Sequence, residues 1–158
     1  QLRDQINNGF NTVKAQSDAV LFEFGPTRAR KLKIRDDIRR WQPTLGTLLQ
    51  VQITYSQYLL DTRLVTLPQP IAEAQLAFQR NMALVMRALA DEIDRKPSRP
   101  APDVQESAAK LRQEIQEYFG SPLPPRPADM ITLAQNLASI LAPLYLDIDA
   151  TFATFNKP

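Results

Sequence analysis

The chain contains no cysteine and no histidine. Without cysteine there is no disulfide, no thiolate nucleophile and no Cys-based zinc site. Without histidine, Ser-His-Asp triads and the commonest transition-metal ligand are also excluded. Glycine is scarce, and its four widely spaced copies cannot form a phosphate-cradling loop. No uninterrupted apolar run approaches the ~20 residues that a bilayer-crossing helix needs. Gln1 is not an initiator methionine, and no signal-peptide pattern follows it, so the chain reads as a mature product or an excised fragment. The lack of cysteine suits cytoplasm and periplasm equally. No self-sufficient catalytic motif is left in the sequence, and no two carboxylates can be assigned as an acid/base pair. The expectation is a non-enzyme with no cofactor and no metal site.

What is present is ordinary globular material. The 158 residues are 44% apolar and 23% charged, enough for one soluble domain over residues 1–158 with its own core. Net charge is only +2 but unevenly spread. Residues 1–64 hold 10 basic and 6 acidic side chains, whereas residues 65–158 hold 9 and 11. Such asymmetry points to a basic face rather than to a chain that coats nucleic acid.

The thirteen prolines punctuate five helical segments. The first runs from about Leu2 to Leu21, with Ile6, Phe10 and Val13 near one face and Val20 to Phe24 open to a short extended stretch. The second runs from Pro26 to Leu64, where Ile34, Ile38, Trp41, Leu45 and Leu48 recur at helical spacing and Leu49, Ile53, Leu60 and Leu64 continue the apolar set beyond Pro43. Pro43 predicts a kink or break near Trp41-Gln42, since proline removes a backbone bond and clashes one turn back. The third begins at Pro70 and carries Phe78, Met82, Val85, Leu89 and Ile93. Asp103 and Glu106 read as a capping box opening a fourth helix with Val104, Ala108, Leu111, Ile115 and Tyr118 aligned. Gly120 suits the left-handed position after its end. A proline-rich loop over Gly120 to Pro127 leads to the fifth helix, about Ala128 to Phe155, with Leu133, Leu137, Ile140 or Leu141, Leu144, Ile148, Phe152 and Phe155 available to fill the core and a kink expected at Pro143. The fold expected is all-α, an up-down bundle of about five helices.

Two constellations carry the functional reading. Residues 22–28 read Phe22-Glu23-Phe24-Gly25-Pro26-Thr27-Arg28, an apolar-carboxylate-apolar triplet broken by glycine and proline. Glu23 between two phenylalanines would need a partner, and Arg28 or Arg30 is the obvious one. From Arg28 to Arg40 there are seven cations against Asp36 and Asp37. On a helix Arg28, Lys31, Arg35 and Arg39 share one face. That face reads either as a solvated surface opposite the apolar stripe or as a contact for anionic headgroups or an acidic partner. Nothing interleaves it with aromatics, so no nucleic acid is expected. Asp91, Glu92 and Asp94, like Asp147 and Asp149, lack metal-loop spacing and read as exposed helical charges. Trp41 reads as a core anchor. Tyr55, Tyr58, Tyr118 and Tyr145 are scattered and support no stacking platform.

The triplet-turn motif at 22–28, with Ile38-Arg39-Arg40-Trp41-Gln42-Pro43, resembles the soluble region of the fusaric acid resistance family. These are bacterial inner-membrane proteins related to aromatic acid exporters and multidrug efflux components. The resemblance is clearest from Ser17 to about Ile93; the remaining third matches only in helical character. It implies a soluble region lying between two blocks of transmembrane helices, serving assembly or regulation of an efflux transporter for toxic or aromatic compounds. Expected partners are then the rest of the same membrane protein, a second copy of it, a periplasmic adaptor and an outer-membrane channel, and anionic lipid. The cation cluster favours the cytoplasmic side. The alternative is a stand-alone helical interaction protein that uses its basic face on a membrane surface or an acidic partner.

Overall fold

Each helical stripe in the sequence folds as a helix. The computed structural model describes residues 2–22, 25–62, 67–94, 96 and 100–153. Five helices, α1 (Leu2–Ala19), α2 (Arg28–Thr62), α3 (Gln69–Ile93), α4 (Val104–Phe119) and α5 (Pro125–Ala153), make up the fold, and the described residues contain no strand. The fold is therefore an all-α helical bundle. Val20–Phe22 is a 3-10 turn, not the extended stretch the sequence allowed. A tightened last turn satisfies carbonyls at a helix end that an extended strand would leave without partners.

The contacts within the chain gather into two compact units, residues 1–46 and 47–158. The first is an antiparallel hairpin of α1 and the opening half of α2. Gln42 Nε2 donates to the Phe10 carbonyl at 3.3 Å, and Arg39 pairs with Asp18, so late α1 lies against early α2. This unit is thinly packed: its buried described residues are Ser17, Asp37 and Trp41. Trp41 is an anchor as expected, while Ile34, Ile38 and Leu45 are only half-buried and Val13 is exposed.

The second unit holds the core. Ile71, Phe78, Val85, Val104, Leu111, Ile115, Leu137, Leu141 and Ile148 are almost completely buried. α3, α4 and α5 pack against one another. Ile71 near the start of α3 meets Ile115 and Phe119 at the end of α4 and Met130 near the start of α5. Val85, farther along α3, meets Val104 at the start of α4 and Leu146 late in α5. Those two levels establish an up-down-up course. The second half of α2 joins it, since Tyr55 sets its ring edge-on to Phe78 at 6.0 Å between centroids.

Several stripe members fall outside the core, Leu133 and Phe152 being only half-buried; Phe155 lies outside the described residues. Ile93 and Tyr118 are exposed, each in the last turn of its helix, and Tyr118 instead packs edge-on against Phe119. On α2 the fully buried residue is Tyr55; Leu60, assigned to the stripe, is exposed, and Leu64 lies outside the described residues.

α2 and α5 run unbroken through Pro43 and Pro143, so the break expected at Trp41-Gln42 is absent. Both prolines are exposed. A carbonyl freed on the solvent side is hydrated, so the helix continues at the loss of one bond. Asp103 caps α4, its Oδ1 accepting from Gln105 N–H at 2.8 Å and Glu106 N–H at 3.2 Å. Gly120 ends α4 at φ 69°, and its N–H donates to the Gln116 carbonyl. α5 alone among the described helices is long and apolar enough to cross a membrane by length and mean hydropathy of 1.3, although polar residues divide its apolar runs. It packs against both α3 and α4, so apolar side chains are needed around much of its circumference.

Candidate functional site

The turn motif lies between α1 and α2. Gly25 sits at φ 134°, a conformation that L side chains resist, and its carbonyl accepts from Arg28 N–H at 3.1 Å. Pro26 and Thr27 occupy the turn, so α2 starts at Arg28 and not at Pro26. Thr27 acts as N-cap, its carbonyl accepting from Lys31 N–H. Glu23 and Phe24 lie outside the described residues, as does the Phe22 side chain, so the proposed Glu23 ion pair does too.

The basic face of α2 is divided by its surroundings. Arg28 and Lys31 are exposed, as are Arg30 and Lys33. Arg35 is not part of an open face: its side chain is 13% exposed and pairs with Asp36 at 2.9 Å. Arg39 reaches across to Asp18 on α1 at 2.5 Å. Arg40 pairs at 3.0 Å with Asp37, whose carboxylate is 8% exposed. That pair gives a buried carboxylate a cationic partner. Lys31, Arg35, Ile34 and Ile38 meet Ser17 and Val20 around a shallow hollow of about 200 Å³. The four predicted face residues thus split, with Arg28 and Lys31 open to solvent and Arg35 and Arg39 engaged within the hairpin. Helical spacing locates a face, but only the position of α1 shows which part of it stays exposed.

The acidic residues form no metal centre: no group of three or more potential ligands gathers among the described residues. Asp94 pairs with Lys96 at 2.8 Å, which raises the Lys96 ammonium pKa through that hydrogen bond and charge. Tyr145 stands beside a hollow of about 360 Å³ with Val85, Pro102 and Leu146. Partial burial raises its phenol pKa, and Asp149 and Glu92 add to the effect.

A cavity of about 500 Å³ opens at one end of the second unit. Ile71, Ile115 and Met130 form its buried floor. Tyr58, Phe119, Arg126 and three prolines, Pro124, Pro125 and Pro127, form its rim. The Tyr58 hydroxyl donates to the Arg126 carbonyl, fixing α2 to the first turn of α5. Burial raises the Tyr58 pKa, Asp129 raises it further, and Arg126 acts against both. Sequence reading missed this site. It took residues 120–127 as a loop, whereas Pro125 already opens α5. The available signal was the Pro124-Pro125-Arg126-Pro127 run, since proline is favoured in a helix's first turn.

No protein-family model, no curated protein and no solved structure matches the chain.

Proposed function

We propose that this chain is the soluble region of a bacterial inner-membrane efflux transporter for toxic or aromatic compounds, acting in assembly or regulation on the cytoplasmic side. The observation that carries the reading is the Phe22–Arg28 turn motif running into one helix that holds seven cations from Arg28 to Arg40. Gly25 at positive φ gives that motif a structural reason, because it reverses the chain between two antiparallel helices. Exposed Arg28, Arg30, Lys31 and Lys33 supply a compact cationic end to the hairpin, suited to anionic headgroups or to acidic segments of the parent protein. Each cation near an anionic membrane contributes about 1 kcal/mol, so a cluster is needed for useful attraction. An enzymatic role has no support from the residue types present.

The test uses the native host. An antibody against this chain should find the protein in the inner-membrane fraction, released by detergent but not by high salt. A strain lacking the gene should become more sensitive to fusaric acid or related aromatic carboxylates. A product found wholly in the soluble fraction overturns the transporter reading. Release from membranes by salt alone supports the interaction-protein reading instead, with the cationic end of the hairpin as its contact.

A further inference from the structure

We propose that the cavity at the end of the second unit is a binding site for a small amphiphilic carboxylate, an apolar chain or ring bearing one negative charge. Its volume of about 500 Å³ lies in the range of small-molecule sites. Ile71, Ile115 and Met130 are at most 2% exposed, so the floor is continuous with the packed core and holds its shape. Three prolines at the rim restrict backbone motion there, which lowers the ordering cost of binding. An apolar floor selects an apolar body.

The charge follows from Arg126. Arg126 lines the cavity, its guanidinium forms no ion pair among the described residues, and its charge acts on Tyr58, which lines the same cavity. A guanidinium matches a carboxylate through two parallel hydrogen bonds. Other backbone donors offer little competition. Pro124, Pro125 and Pro127 have no N–H, and the Ala128 N–H already donates to the Pro124 carbonyl. Recognition of the anion therefore rests on Arg126, whose guanidinium carries the charge and whose own first-turn N–H can assist. Asp129 acts electrostatically on the neighbouring Tyr58, so one anion already stands near the mouth. A single charge is tolerated there better than a dianionic phosphate. The site stands whether or not the chain belongs to a transporter.

The test titrates the full chain with decanoate and with uncharged decanol, both below the concentration at which they aggregate. Calorimetry should show saturable decanoate binding, and decanol should bind more weakly. Arg126→Gln, an exposed substitution that leaves the core intact, should weaken decanoate about tenfold and leave decanol unchanged. Methyl resonances of Ile71, Ile115 and Met130 should shift on titration. Absence of saturation, equal affinity for decanol and decanoate, an unchanged Arg126→Gln affinity, or shifts confined to other methyls would each overturn the proposal. Its failure would leave membrane fractionation of the native protein unaffected, so the two readings fail independently.

Discussion

Replacing Tyr55 by phenylalanine should stabilise the protein. Tyr55 is fully buried, and its ring packs edge-on against Phe78. Its hydroxyl has no hydrogen-bond partner among the described residues. A buried hydroxyl without a partner costs about 1–3 kcal/mol on mutational scales. Phenylalanine keeps the ring and the edge contact and removes only that oxygen. The void left is too small to offset the gain, so a net stabilisation of about 1 kcal/mol is expected. Urea denaturation followed by far-ultraviolet circular dichroism should show a higher midpoint with an unchanged slope. The melting temperature should rise by about 2–4 °C.

The same substitution has a pH signature. Burial, with a smaller contribution from Tyr58, raises the Tyr55 pKa well above its ordinary value of 10.0. The folded state then holds the phenolic proton more tightly than the unfolded state. This contribution to stability is fully present below pH 10 and is lost as pH rises above it, by about 1.4 kcal/mol per unit until the folded pKa is reached. Tyr55→Phe should remove that component of the alkaline slope. A loss of 1 kcal/mol or more at neutral pH, or an alkaline slope identical to wild type, would show that the hydroxyl is paired in solution and refute the reasoning.

Three further outcomes follow from the same geometry. Gly25→Ala should destabilise the hairpin by about 1 kcal/mol through backbone strain alone, since no atom within 4 Å would meet the new methyl; calorimetric melting checks it, and a neutral result would mean the turn relaxes. Asp103→Ala should cost about 1 kcal/mol by removing two N-cap hydrogen bonds at α4, and Asp103→Asn should recover most of it in the same denaturant assay. Charge reversal of Arg28, Lys31 and Lys33 together should abolish salt-sensitive sedimentation with anionic vesicles and leave the helical signal unchanged, whereas Arg35→Glu should disturb folding first, because Arg35 is largely enclosed.

The sequence by itself determined the helices and their stops. Apolar spacing of three and four residues located the faces of α3, α4 and α5, because a helix in water has to bury one stripe. Asp103 and Gly120 marked the two ends of α4, since a cap is a local hydrogen-bonding problem solved by neighbouring residues. Gly25 marked the hairpin turn for the same local reason. Tertiary structure decided what depends on residues distant in the chain. It enclosed Tyr55 where the stripe favoured Leu60, because burial depends on which neighbour faces a residue as well as on periodicity. It drew Arg39 to Asp18 and enclosed Arg35, leaving Arg28 and Lys31 exposed. It also gathered Tyr58, Ile71, Ile115, Arg126 and Met130 around one cavity. Those five residues come from four helices, and no spacing along the chain relates them. Such a site exists only once the helix ends meet.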